Sequence, residues 1–133
     1  FNWDSYYLTA EYLQRAGHLA LGARFMEQAG QTLAATYDHL TEAEYTDLVA
    51  ISDRVLDSYK DPKRAERLYR RAIEMRPELF DAYHGLAATL QIQGDIETAL
   101  QVLEDYEVRY GETERLGRAR RSLQQAQSRR VDP

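Results

Sequence analysis

The clearest hydrophobic pattern in the chain lies within residues 80–110, where apolar side chains recur every three or four positions in two separate runs. The first run comprises Tyr83, Leu86, Ala87 and Leu90, and the second comprises Ile96, Ala99, Leu100, Leu103 and Tyr106. This spacing places each run on one face of an α-helix. Gln93-Gly94-Asp95 separates the runs, and glycine is typical of a helix end. The stretch therefore predicts two short amphipathic helices that fold back on each other.

The order of large and small side chains in this hairpin is also specific. An aromatic residue is followed by Leu-Ala, then by Leu, by Gly-Asp at the turn, by a small residue and finally by Leu. This succession resembles a tetratricopeptide repeat, a helical hairpin with a period of about 34 residues. The resemblance implies a stacked array, because one such hairpin cannot cover its own apolar faces.

A second hairpin is predicted one period earlier. Residues 41–44 have the Thr-x-x-Glu pattern of a capping box, which opens a helix that runs to about Tyr59. Asp61-Pro62 opens the next helix, over 62–75, because Asp caps the free N–H groups and Pro is tolerated in the first turn. The turn at Lys60 lies one full period before the glycine turn of the third hairpin.

The first helix of this second hairpin departs from the pattern. Ser52 and Asp53 occupy the places that Leu86 and Ala87 hold in the third hairpin. The local apolar stripe consists instead of Leu48, Ile51, Val55 and Tyr59. We therefore expect this helix to be rotated or shifted relative to a regular array.

The N-terminal stretch predicts a degenerate first hairpin. Its helices are expected over 4–16 and 18–36, with Asp4 as the N-cap and Gly17 as the stop. Its large and small residues follow those of the third hairpin, with Thr9 as the exception.

Together these patterns predict a single all-α domain, an α-α superhelix of about three hairpins with a C-terminal capping helix. The last helix has a narrow apolar stripe of Leu116, Ala119, Leu123 and Ala126. Within a domain of 1–133, the predicted parts are repeat 1 (about 4–36), an insertion (about 34–45), repeat 2 (about 41–77), repeat 3 (about 78–110) and the capping helix (about 112–128). The first helix of each hairpin is expected to line a concave groove.

Composition narrows the class of protein. At 133 residues, with 44% hydrophobic and 29% charged residues, the chain is typical of one globular domain. Because it has no cysteine, disulfides and thiolate sites are excluded, but no compartment is selected, and we favour the cytoplasm slightly over the periplasm. No apolar run approaches the roughly 18 residues of a membrane span, so we expect no membrane insertion by this segment. The sequence starts at Phe1 without Met, so we expect an excised piece of a longer protein.

The charge of the chain is uneven. The formal net charge is −5, and acidic residues outnumber basic ones over 1–110, whereas arginines are in excess over 111–133. An acidic body argues against a nucleic-acid partner, because phosphate neutralisation needs a coherent basic surface.

Few residues point to catalysis. His18, His39 and His84 are the only histidines, and none has the spacing of a metal-ligand motif. The sequence has no glycine-rich phosphate loop and no nucleophile elbow. We therefore expect a protein that is not an enzyme and that has neither a metal site nor a cofactor.

The resemblance also implies a ligand-binding face, because tetratricopeptide proteins contact ligands through the first helix of each hairpin. The residues implied here are Asp4, Tyr7, Leu8, Glu11, Asp47, Ile51, Arg54, Asp81, His84, Ala88 and Gln91. One subfamily clamps the C-terminal carboxylate of heat-shock chaperones with Lys, Asn and Arg side chains. The corresponding positions here are Tyr7, Glu11, Ile51, Asp81 and Gly85, and none of them matches. We expect a protein or peptide partner that is neutral or basic, and not a chaperone-type C-terminal carboxylate.

Two other surfaces leave alternatives open. The basic run of the fourth helix comprises Lys63, Arg64, Arg67, Arg70, Arg71 and Arg76. It is either a docking site for an acidic partner or, as we favour, a solvated face with pairs such as Glu66 to Arg70. The aromatic N-terminal end comprises Phe1, Trp3, Tyr6 and Tyr7. It is either ordinary core that seals the end, or a contact surface for an upstream segment or for self-association.

The function favoured by the resemblance is a non-catalytic protein–protein interaction module that presents its groove to a peptide or helix of a partner. The alternative is a structural or regulatory appendage of a larger enzyme or membrane-bound protein.

Overall fold

The computed structural model describes residues 2–131, and over that range the chain forms seven α-helices without a β-strand. The helices are α1 (Trp3–Arg15), α2 (Leu19–Thr36), α3 (Glu42–Asp57), α4 (Pro62–Met75), α5 (Asp81–Ile92), α6 (Ile96–Tyr110) and α7 (Glu114–Val131). The predicted all-α class, with paired helices and a closing helix, is confirmed. The division into repeats and an insertion stays a prediction.

Residues with a left-handed backbone conformation, that is with positive φ, form the tight turns within the hairpins. Gly17 has φ +88° and Gly94 has φ +85°, values that favour glycine because it has no β-carbon. At both turns the N–H after the glycine donates to a carbonyl five residues back, His18 to Leu13 (2.8 Å) and Asp95 to Leu90 (2.9 Å). These are Schellman helix ends. The middle hairpin turns at Lys60 instead, a non-glycine residue with φ +56°.

The predicted caps of α3 and α4 are confirmed, whereas the predicted cap of α1 is wrong. Thr41 accepts a hydrogen bond from the N–H of Glu44, whose carboxylate accepts one from the N–H of Thr41. Asp61 caps α4 in the same position, with Pro62 in the first turn. Asp4, however, lies inside the first turn of α1, and Asn2 is the cap residue. The helix begins earlier because Trp3 packs edge-on against Tyr7, one turn further along.

The irregular helix α3 keeps the apolar stripe that its own sequence predicts. Its buried face includes Leu48, Ile51, Val55 and, just after the helix, Tyr59. Ser52 is fully buried among them, and its hydroxyl donates to the carbonyl of Leu48 (2.8 Å). This bond satisfies a polar group that would otherwise be costly to bury.

The hairpins stack so that each new pair packs on the pair before it. Helices α2 and α4 contact each other on one side of the array, and α3 and α5 contact each other on the opposite side. Helix α7 then covers α6 and part of α5, with Leu116 and Leu123 buried. The odd-numbered helices α1, α3 and α5 therefore lie along one side, where the predicted groove falls.

Candidate functional site

All the predicted groove residues of α1 and α3 except Glu11 and Arg54 line one open cleft of about 340 Å³. Both helices pack on α2, and the cleft lies between them. It is lined by Trp3, Asp4, Tyr7 and Leu8 of α1 and by Asp47, Ala50 and Ile51 of α3. We call this feature the α1–α3 cleft.

The α1–α3 cleft has a buried floor and an exposed apolar edge. Ile51 forms the floor and is only 2% exposed, so it belongs to the core as well as to the lining of the cleft. Leu8 is 68% exposed. Trp3 and Tyr7 are half-buried, with ring centroids 6.2 Å apart and planes at 88°. The cleft therefore offers both apolar area and aromatic surfaces to a ligand.

Asp4 and Asp47 place one exposed carboxylate on each wall of the α1–α3 cleft. Among the residues that the structure describes, neither carboxylate has an ion-pair partner. No basic residue among the described ones lines the cleft. The cleft is therefore a site of negative potential.

One turn further along, an ion pair joins α1 to α3. Arg54 Nη2 lies 2.5 Å from Glu11 Oε1. Burial opposes the charge of Arg54, but Glu11 outweighs it and holds the pKa of Arg54 above its ordinary value. Burial, followed by the charge of Glu11, raises the pKa of the neighbouring Tyr59 to about 12. Glu11 and Arg54, both predicted as groove residues, thus neutralise each other.

The predicted groove residues of α5 are not among those that line the α1–α3 cleft. Asp81 pairs with Arg115 of α7 (2.7 Å), and the same guanidinium lies 5.2 Å from the centroid of the Phe80 ring. His84 is exposed beside Phe80. Ala88 is half-buried and Gln91 is exposed. At this end of the groove, the carboxylate of Asp81 is therefore already paired with Arg115.

A buried contact next to α5 was missed by the sequence reasoning. Tyr69 of α4 packs on Gly85 and donates a short hydrogen bond to the carboxylate of Asp53 on α3. Asp53 as a whole residue is exposed, but its carboxylate is partly buried. This burial raises the pKa of the carboxylate above its ordinary value. Burial and the bond to Asp53 raise the pKa of Tyr69 as well. The sequence did contain a signal for this contact, because Asp53 is a polar residue at a position where the third hairpin has an apolar one.

The arginines of the basic run of α4 pair with acids, partly within the helix, as the favoured interpretation expects, and partly with another helix. Arg70 pairs with Glu66 and Arg71 pairs with Glu74 along the helix. Arg76 pairs with Glu78. Arg64 and Arg67 cross instead to Glu27 of α2, at 2.8 and 2.7 Å. Glu27 is only 8% exposed and was not identified from the sequence. The face therefore joins two hairpins of the same chain.

The aromatic N-terminal end is mostly packed, except that Phe1 lies outside the described residues. Tyr6 lies against Phe25 of α2 (6.3 Å between centroids), and Trp3 and Tyr7 pack at the edge of the core. The exposed apolar side chains of this hairpin are Leu8, Tyr12, Leu19 and Leu21. This arrangement favours ordinary core for the aromatic residues.

Residues 2–131 also bear on metal binding and on membrane insertion. No group of three or more His, Cys, Asp or Glu side chains is placed to hold a metal ion there. In the same range, no helix combines the length and the apolar character needed to cross a membrane.

Stacked helical hairpins, each turning at a residue with positive φ, together with a closing helix define an all-α helical-repeat protein. Residues 68–101 match the family model of the tetratricopeptide repeat. This match supports a tetratricopeptide repeat assignment, and such a repeat suggests a protein–protein interaction module. No curated protein matches the chain.

Proposed function

We propose that this chain is a non-catalytic module whose groove, formed by α1, α3 and α5, binds a peptide or a helix of a partner protein. The observation that supports the proposal most directly is the α1–α3 cleft, where α1 and α3 leave apolar surface open between them.

The charge of the groove supports a neutral or basic partner. Asp4 and Asp47 have no ion-pair partner among the described residues, so an anionic peptide would be repelled there. The positions of the chaperone-type carboxylate clamp carry no positive charge, and two of them, Ile51 and Gly85, are buried. A C-terminal carboxylate would therefore find no cation at those positions.

A random peptide library, displayed on phage and selected on the pure protein, tests the proposal. Ala50→Trp on α3 and Gln91→Trp on α5 add bulk at positions that are exposed in the groove. Lys63→Trp adds the same bulk at an exposed position of α4 and serves as the control. We expect enriched peptides that lose binding to one or both groove variants and keep binding to the control. If no enriched peptide distinguishes the groove variants from the control, the proposal is wrong.

The alternative is a structural or regulatory appendage of a larger enzyme or membrane-bound protein. The exposed Tyr12 (71%) and Leu19 (40%) of the first hairpin favour it, because such side chains commonly mark contact surfaces. In the full-length protein, Tyr12→Ser with Leu19→Ser would then make the first hairpin more sensitive to protease. Unchanged cleavage would remove the support for this alternative.

A further inference from the structure

The acidic residues of this molecule differ in whether the chain already satisfies them. Glu27 is bound by two arginines and Asp81 by one. Asp53 accepts the hydroxyl of Tyr69. Asp4 and Asp47, in contrast, line the α1–α3 cleft from its two helices, and neither has an ion pair within residues 2–131. Within that range, no basic side chain of the protein neutralises these two carboxylates.

The apolar surfaces of the α1–α3 cleft suit the stem of a long side chain. Trp3 and Tyr7 present aromatic rings, and the floor is the side chain of Ile51. A cation placed over an aromatic ring is attracted by it, and its methylene stem can cover apolar area. Arginine and lysine are the side chains that carry both a cation and such a stem.

The size of the α1–α3 cleft limits its occupant. Its volume of about 340 Å³ lies at the lower end of the range of about 300–1,000 Å³ for ligand sites. This space suits one long side chain with an apolar neighbour against the exposed Leu8 better than a whole helix.

Among residues 2–131, no cation is paired with Asp4 or Asp47. Arg54 is the nearest arginine along α3, and it is engaged by Glu11 at 2.5 Å. The pair cancels its own charge, so it leaves the negative potential of Asp4 and Asp47 in place.

We infer that the α1–α3 cleft seats an arginine or lysine side chain of the partner, with the cation between Asp4 and Asp47 and the stem against Trp3 and Tyr7. The inference rests on the proposed function and adds which kind of residue the groove recognises. Recognition here is by charge and by aromatic contact, so raising the salt concentration weakens the contribution of Asp4 and Asp47 and leaves the apolar one.

Trp3 makes the test direct, because it is the only tryptophan of the chain and it lines the cleft. The probes are four short, end-blocked peptides of Ala and Leu with one variable residue type, which is Arg, Lys, Gln or Glu. Each is titrated into the protein, and both the emission of Trp3 and the backbone amide shifts are followed. We expect the Arg and Lys peptides to shift the Trp3 emission saturably, and to bind at least about tenfold more tightly than the Gln peptide.

The variants are Asp4→Asn, Asp47→Asn and the double change. Asp105→Asn on α6 removes the same charge at an exposed position outside the cleft and serves as the matched control. We expect the double variant to lose about tenfold in affinity for the Arg peptide, and the control to stay within about twofold. Equal melting temperatures of all four proteins establish that the losses are not losses of folding.

The outcomes separate the inference from the proposed function. Equal binding of the Arg and Gln peptides, or full binding by the double variant, would overturn the inference. Absence of any Trp3 response to the Arg and Lys peptides would overturn it too. In each of these cases, library peptides that depend on Ala50 or Gln91 would leave the proposed function standing. If the library also yields no groove-dependent peptide, both are wrong.

Discussion

The first and third hairpins are attached to the middle of the molecule by different chemistry. Both junctions include a tyrosine ring near a glycine, Tyr59 near Gly22 and Tyr69 near Gly85. At the N-terminal junction, ion pairs supplement this contact, Glu27 with two arginines on one side and Glu11 with Arg54 on the other. At the C-terminal junction, hydrogen bonds and apolar packing take their place, and one of these bonds runs from Gln93 to the carboxylate of Glu66 (2.9 Å).

At the C-terminal junction, a second tyrosine of the middle hairpin contacts the start of α5. Tyr45 is 2% exposed, and its hydroxyl accepts a hydrogen bond from the N–H of Ala82 (2.8 Å). It thus caps the start of α5, where Phe80 has no side-chain oxygen to offer. Burial raises the pKa of Tyr45 to about 12, so the cap does not titrate near neutral pH.

The two junctions differ both in the contacts that hold them and in whether a cleft opens beside them. Where hydrogen bonds and apolar packing join the hairpins, α3 and α5 contact each other directly. Where ion pairs bridge the helices, the α1–α3 cleft stays open beside them. The N-terminal half of the groove is therefore the half that is accessible to a ligand and sensitive to pH and salt.

The largest expected effect comes from placing a charge in the tightly packed half. Leu90 of α5 is 4% exposed, whereas Leu13, at the matching place before the first glycine turn, is half-buried. Leu90→Asp should cost several kcal/mol, a large part of the roughly 5–15 kcal/mol of a typical domain. Leu13→Asp should cost less than half as much, because its carboxylate can reach water. Urea unfolding of both variants measures the difference, and equal losses would mean that the two halves are equally well packed.

The next effect tests how firmly each tyrosine ring is fixed. A β-carbon on Gly85 would overlap the ring of Tyr69, whereas one on Gly22 would lie 2.8 Å from Cε1 of Tyr59. Tyr69 is tied to Asp53 and cannot yield easily, so Gly85→Ala should cost about 3 kcal/mol and Gly22→Ala about 1–2.

Gly117→Ala is the control, because its β-carbon would meet only ordinary contacts at 3.5 Å. Tyr69→Leu in the Gly85→Ala background should recover part of the loss. Both glycine variants and the control are compared by thermal unfolding. A Gly85→Ala protein as stable as the control would show that the ring of Tyr69 is mobile.

A smaller effect tests the ionic junction through its pH dependence. Burial opposes ionisation of Glu27, but the hydrogen bonds from Arg67 and Arg64 outweigh it and hold its pKa below the ordinary value of 4.5. A carboxylate with a lowered pKa stabilises the fold above that value, and this stabilisation is lost as the pH falls through the folded-state pKa. Glu27→Gln should therefore cost about 2 kcal/mol at neutral pH, and progressively less below pH 4.5.

Hydrogen exchange of α1 and α2 is the measurement that localises this effect. Below pH 4.5, the amides of these helices should exchange sooner than those of α5 and α6 in the native protein. Glu74→Gln, at an exposed pair on the same helix as the arginines, is the control and should change little. A Glu27→Gln cost that does not vary with pH would mean that the pair is not the source of the stabilisation.

The parts of the fold that local chemistry determines were the parts that the sequence predicted. Glycine turns, the capping box of Thr41 and the Asp61-Pro62 start all depend on residues within one helical turn of each other. The period of the apolar residues likewise fixes which face of a helix is buried. The misplaced cap at Asp4 shows the limit, since a packing contact of Trp3 moved the boundary.

The cross-helix pairs could not be predicted in this way. Glu27 meets its arginines 37 and 40 residues further along the chain, and Tyr45 meets Ala82 at a separation of 37. Periodicity says which face a residue occupies but not which side chain lies opposite. The same holds for the groove, where the resemblance indicated residues of α1 and α3 but not the open cleft between them.

The smallest expected effect concerns the turn that differs from the other two. Lys60 adopts φ +56°, where a β-carbon costs about 1–2 kcal/mol, whereas glycine adds about 0.5–1 kcal/mol of unfolded-chain entropy. Lys60→Gly should therefore stabilise the protein by about 0.5 kcal/mol. Gly94→Ala, the reverse change at the matching turn, should destabilise it by about 1 kcal/mol. Urea unfolding measures both, and a Lys60→Gly protein that is less stable than the parent would show that the aliphatic stem of Lys60 contributes more than its backbone strain removes.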